Sequence, residues 1–311
     1  MRVTDSMLTS GLMSNLYANL KTMSKYQNQI ITERKILRLS DDPIGAVKAM
    51  QIDAILNANE QYDKNISDAT AWLDQMNTAL MDMNEVVMRA KDLAVQAASG
   101  TYSQEQRDSI SQEVKELQSH FVNLANTKFM GKYIFGGFNT TATPFSVNDG
   151  KISYNSIDDL SSATKTEAAA EANQIRQCRL SDSITFDVGI NGVQIMGIGA
   201  DNIFNVFQSF NDFLTGDNTS GNLSEFTDKF SAAQDSIMTH LADVGGKQIR
   251  VDLITQQHQS AELNLYDTLN KVAGIDKTEV ITQYEMTKNA YNAALQVGAR
   301  IIQLSLVDFL R

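Results

Sequence analysis

Proline and cysteine are nearly missing from this 311-residue chain, which has only Pro43, Pro144 and Cys178. With so few helix breakers, very long helices are permitted. A single cysteine excludes an intrachain disulfide. Its neighbours Arg176, Gln177 and Arg179 supply neither the base nor the orienting group that a thiol nucleophile needs. Cys178 therefore reads as a small apolar packing residue. Histidine is scarce as well. His240 and His258 lie 18 positions apart, or ~27 Å along one helix. Unless Gly245-Gly246 folds that helix back, no metal cluster is expected. Positive charge is in deficit, with a net charge of −11, which disfavours nucleic acid and anionic membrane surfaces as partners. No run reaches the ~18 apolar residues of a membrane span. The N-terminus lacks an uninterrupted apolar stretch after a basic start, so no cleavable signal peptide is expected.

Constellations that carry chemistry are also lacking. Asp41 and Asp42 are adjacent, so their carboxylates diverge instead of converging on one substrate atom. Ser40-Asp41-Asp42-Pro43 reads as a helix start, with Asp at the N-cap and Pro at the first helical position. Gly197-Ile198-Gly199 lacks the third glycine and the acidic residue of a dinucleotide site. No catalytic, cofactor-binding or metal-ligating residue is assigned, and no cofactor is expected.

What the chain does have is heptad spacing. Ile66, Ala69, Leu73, Met76, Leu80, Met83, Val87, Ala90, Ala94 and Ala97 follow a three–four rhythm without a miss, which predicts a long helix packed along its length. Gly100 closes it, and Ser103 with Gln106 resembles a capping box opening the next helix. That helix carries Ile110, Val114, Leu117, Phe121 and Leu124 at the same spacing. The rhythm returns from Phe226 through Phe230, Ala233, Ile237, Val244, Val251, Ile254, Ala261 and Leu265 to Val272, with Gly245-Gly246 expected to mark a bend or helix junction.

Residues 131–222 differ, being rich in glycine and short alternating runs. Ile184, Phe186, Val188 and Ile190 alternate before Asn191-Gly192, and Val193 and Ile195 follow, a pattern that predicts a hairpin turning at Asn191-Gly192. Asn148-Asp149-Gly150 predicts another turn. Phe204, Phe207, Phe210 and Phe213 mark an amphipathic helix over 201–214. The edges of this region, near Pro144 and Asn222, are turn-rich. Residues 147–221 are therefore expected to be dispensable for folding of the surrounding helices.

Both ends are thinly amphipathic. Met13, Leu16, Leu20, Met23 and Ile30 form one stripe, widened by Leu8, Leu12 and Tyr17; Ile281, Tyr284, Tyr291, Leu295, Ile302, Leu306 and Phe309 form the other. Such stripes would face one another or neighbouring molecules, so these residues are the candidate assembly interface. The fold class expected is mainly α: a long-helix rod or coiled-coil bundle built from both N- and C-terminal parts, with an inserted β-rich (α+β) domain. Its divisions are terminal helices at 1–35 and 277–311, disordered in the monomer; a helical rod at 36–145 and 223–276 with a β-hairpin near 131–145; and an inserted domain at 146–222.

Four separated words then resemble one family. Met1-Arg2-Val3-Thr4 opens the chain. Arg38, Ser40, Asp41, Asp42, Pro43, Gly45 and Ala46 are similar to an R-x-S-D-D-P-x-G-A motif. Gly131-Lys132-Tyr133-Ile134-Phe135-Gly136-Gly137 precedes Thr143-Pro144-Phe145, and Ala299-Arg300-Ile301-Ile302-Gln303 runs to Ser305-Leu306-Val307-Asp308-Phe309-Leu310. Together these resemble the flagellar hook–filament junction proteins of the FlgL type, third hook-associated proteins within the flagellin-like family. Leu39 and Leu304 stand where that family commonly has proline. The resemblance implies a structural, non-enzymatic subunit at the bacterial flagellum, outside the cell, exported unfolded by the flagellar type III route without a cleavable signal. It implies a ring of copies joining the hook, through the other junction protein, to flagellin, and an export chaperone before secretion. A flagellin filament subunit is the nearest alternative, and a secreted amphipathic membrane translocator a more distant one.

Overall fold

The computed structural model describes residues 5–98, 103–148, 150–155, 157–164, 166–167, 175–216 and 223–309, with the side chains of 5, 6, 8 and 300–309 left out. Met1–Thr4, Gly100, Asp149, Asn222 and the end of the closing word thus lie outside the described residues. The chain is mainly helical. Its described helices are α1 (Asp5–Thr32), α2 (Pro43–Ala98), α3 (Gln104–Ala125), α4 (Gly192–Met196), α5 (Ile203–Thr215), α6 (Leu223–Ala273) and α7 (Lys277–Phe309). Three two-stranded antiparallel sheets pair β1 (Lys128–Phe129) with β2 (Lys132–Tyr133), β3 (Phe145–Asn148) with β4 (Lys151–Tyr154), and β5 (Gln177–Arg179) with β6 (Thr185–Asp187).

The chain divides into two compact units, residues 60–258 and residues 1–59 with 259–311. The second joins both terminal helices with stretches on either side of them that the sequence reading assigned to the rod.

Within residues 60–258 the heptad seam of α2 is buried at every position from Ile66 to Ala97. It belongs to one core with Ile110, Val114 and Phe121 of α3 and with Phe226, Phe230, Ile237, Val244 and Val251 of α6. The start of α3 is fixed as its sequence indicates: the Ser103 amide donates to Gln106 Oε1 at 2.9 Å, the returning half of a capping box.

Three expectations are corrected here. First, α6 runs through Gly245-Gly246 without interruption, and neither glycine has positive φ, so no helix junction forms there. His240 and His258 therefore stay far apart. His240 Nε2 lies 3.0 Å from the Gln194 carbonyl, and the buried His258 places Nδ1 2.9 Å from Asp63.

Second, Asn191-Gly192 is no hairpin turn. Asn191 Oδ1 accepts from the Val193 amide at 3.0 Å and caps α4, while Gly192 lies against the Phe145 and Tyr154 rings, where a Cβ would come within 2.6 and 2.8 Å. The run from Ile184 to Ile190 does alternate, with Phe186, Val188 and Ile190 buried, but its strand pairs backwards with β5. Two further hairpins turn elsewhere. One turns at Met130-Gly131, both at positive φ (48° and 77°), earlier than the 131–145 expected. The other turns between Asn148 and Lys151, where Gly150 has φ of 74°.

Third, the middle region does not fold apart from the helices. Helix α5 forms as read, but Phe207 lies 6.0 Å from Phe121 and 5.2 Å from Phe230, ring centre to ring centre. Ser111 Oγ donates to Asn211 Oδ1 at 2.6 Å in the interior. Both regions share a single core.

Candidate assembly interface

Within the unit formed by the two ends, α1 and α7 lie against each other. Gly298 permits the approach, since a Cβ there would sit 2.5 Å from Leu12 Cδ2. Of the stripe residues named above, Leu16, Met23 and Ile30 on α1 and Tyr284 and Tyr291 on α7 are half-buried. Met13, Leu20, Ile281 and Leu295 are exposed. Ile302, Leu306 and Phe309 lie on the last turns of α7, and their side chains are outside those described. The stripes therefore split between residues turned inward and residues left on the surface.

Tyr17, which widens the first stripe, is 66% exposed. The surface set is larger than sequence reasoning found, since Met286 is also 66% exposed and Ile31 70%. Among the described side chains of α1 and α7, no apolar one is fully buried; the buried apolar residues of this unit are Ala46, Ala49, Ile52 and Ala273. Tyr26 and Val280, half-buried, were not read as stripe residues. Both lie at three–four spacing from Met23, Ile30 and Tyr284, a signal that could have found them.

The Arg38–Gly45 motif builds the turn into α2. The Arg38 amide donates to Asp41 Oδ2 at 3.1 Å, and the Asp41 amide donates to the Arg38 carbonyl at 3.0 Å. Asp42 is the N-cap: its Oδ1 accepts from the Gly45 amide at 3.0 Å, with Pro43 opening the helix. Gly45 is buried beneath the cap, where a Cβ would meet the Asp42 carboxylate and Ile36 Cδ1, the latter at 2.7 Å. Replacing Asp42 by Ala should cost ~1 kcal/mol, within a range of ~0.5–2, whereas Asp42→Asn should remain near wild type. Urea unfolding of the two full-length variants checks this, and equal losses for Ala and Asn would contradict the cap.

A second device was not legible in the sequence. Glu33, at φ 55°, turns the chain out of α1. Arg34 then forms a β-bridge with Gly274, and the Lys35 amide donates to the Ala273 carbonyl at 2.7 Å. Buried Gln29 donates through Nε2 to the Lys35 carbonyl at 2.8 Å. Arg34 holds Asp53 in a two-pronged fork at 2.7 and 2.8 Å, which keeps the Asp53 carboxyl below its ordinary pKa. Lys277 pairs with Glu33 at 2.7 Å. The two linkers leading to α1 and α7 are thus clasped to each other.

Among the described residues, no three His, Cys, Asp or Glu side chains gather as metal ligands, and no helix is long and apolar enough to cross a membrane.

The pattern of the bacterial flagellin N-terminal helical region matches residues 3–140. That stretch is similar to the N-terminal helical region of bacterial flagellins. The chain is 30% identical over 152 residues to flagellar hook-associated protein 3 of Escherichia coli K12, covering 49% of this chain and 48% of that protein. It is 32% identical over 108 residues to the flagellar filament 41 kDa core protein of Borreliella burgdorferi, covering 35% of this chain and 32% of the other. The chain thus matches about half the length, or less, of these curated relatives. Its fold is shared with the crystal structure of flagellar hook-associated protein 3 from Legionella pneumophila, at a TM-score of 0.61 and 14% identity, covering 72% of this chain and 98% of that one.

Proposed function

We propose that the protein is a structural subunit of the bacterial flagellum that joins the hook to the filament. The observation that carries this reading is the terminal helix pair, whose described apolar side chains stay half-buried or exposed, in a chain whose N-terminal part resembles that of flagellins. A surface of this kind is completed by neighbouring molecules. In this reading the terminal helices, residues 1–35 and 277–311, meet neighbouring subunits. Copies stand in a ring, with the other junction protein on one side and flagellin on the other. The chain reaches its place through the flagellar export apparatus, handed over by an export chaperone, and it catalyses nothing. The hook-associated protein is 30% identical over 152 residues, whereas flagellin of Salmonella muenchen is 26% identical over 160, and this difference in identity favours junction over filament.

Antibody labelling of isolated flagella, viewed by electron microscopy, tests the proposal. One narrow band where hook meets filament is expected. Labelling along the filament would instead identify a filament subunit, and absence from flagella would overturn both.

A further inference from the structure

The charge of this acidic protein is not evenly spread. Residues 60–258 hold 14 Lys/Arg against 26 Asp/Glu, while residues 1–59 and 259–311 together hold 12 against 11. Within the latter set, the cations are not all neutralised locally. A groove of about 630 Å³ runs between α1 and the turn that leads into α2. Lys21, Lys25 and Arg38 line it, with Asp41 as its one acidic residue. Lys25 stands 3.8 Å from Asp41, each side chain still well exposed to solvent.

Asp41 is already occupied on its other oxygen by the Arg38 amide. Neither Lys21 nor the Arg38 guanidinium has a hydrogen-bonding or ionic partner among the described residues. Thr22 and Thr32 use their hydroxyl protons on helix carbonyls, each at four residues' remove, and the groove's charged donors are Lys21, Lys25 and Arg38. Arg38 belongs to the turn motif, yet that turn uses only its backbone. Its side chain is left for something else.

We propose that this groove receives an acid-rich helix from residues 60–258 of a second copy of this chain. The complementarity is direct: a local excess of two positive charges meets a surface with twelve more acids than bases. Such a contact would place copies in register while their acidic regions otherwise repel one another. The proposal rests on the reading that copies stand side by side in an assembly, and it adds which surfaces meet.

Carbodiimide cross-linking tests it, because the reagent joins a lysine only to a carboxylate that touches it. Equal amounts of ¹⁴N- and ¹⁵N-labelled full-length protein are mixed, so peptides carrying both labels mark contacts between copies. Mixed-label links from Lys21 and Lys25 to Asp or Glu within residues 60–258 are expected at ~0.01 M salt, where the Debye length is ~30 Å. They should be lost at ~1 M, where it is ~3 Å, and in R38E with an unchanged melting temperature. Mixed-label links that avoid Lys21 and Lys25 would overturn the groove while leaving side-by-side copies intact. No mixed-label links would overturn the second copy as occupant. Links that appear only after flagellin or the other junction protein is added would assign the groove to that partner instead. The band seen by antibody labelling decides the flagellar reading separately.

Discussion

Replacing residues 147–221 with a short Gly/Ser linker should abolish the cooperative unfolding of the remaining helices. The reason lies in what α5 covers. Phe210 packs 5.4 Å from Phe226 and 5.7 Å from Phe230 on α6, and Phe207 bridges Phe121 to Phe230. Removing them turns three fully or nearly buried phenylalanines of α3 and α6 out to water. Each large core truncation of this type costs ~3–5 kcal/mol, and a domain's whole stability is ~5–15 kcal/mol. Ser111, now buried with Asn211 as its partner, would be set loose as well. Circular-dichroism melts of the linker variant against the intact chain provide the measurement. A sharp transition within a few degrees of the parent would show that α2, α3 and α6 hold a core of their own.

The second large effect concerns the ends. In a sample shown to be monomeric, amide hydrogens of residues 10–30 and 285–305 should exchange rapidly, and those of residues 66–97 slowly. Protection follows the free energy of local opening. The α2 seam is buried throughout, so its amides open only with the whole unit; ~5 kcal/mol there corresponds to roughly a 10³–10⁴-fold slowing. Among their described side chains, helices α1 and α7 bury no apolar one fully, so little resists their opening. Assembly should then slow exchange in both segments together, because it supplies the missing buried surface. Slow exchange across both segments in the monomer would contradict folding coupled to assembly.

The parts legible in the sequence are those whose signal is local and repeated. The α2 seam reads correctly at every position because a heptad leaves little choice of face over more than thirty residues. Asp42-Pro43 reads correctly because cap and first-turn preferences act within four residues. Asn191-Gly192 misleads because a dipeptide suited to a tight turn is equally suited to an N-cap followed by a close ring contact. The Tyr154 and Phe145 rings that decide between them lie about forty positions away. The same holds for the middle region: the stripe of α5 is legible, but not that it would lie on Phe121 and Phe230. Of the candidate interface, the stripes were visible, and which members turn inward was not. That is set by how two helices at opposite ends of the chain meet.

The clasp between Arg34 and Gly274 has a consequence for the order of events. Its two sides are separated by almost the whole chain, so its closure bears the entropy of a loop of about 240 residues, ~5 kcal/mol by the (3/2)RT ln n rule. Structure formed earlier in the intervening residues shortens that loop. Whichever end of the polypeptide is delivered first must therefore wait, since α1 gains its anchor only after the residues around 274 have arrived. The ends of this molecule close last, like the drawstring of a bag that must first be filled.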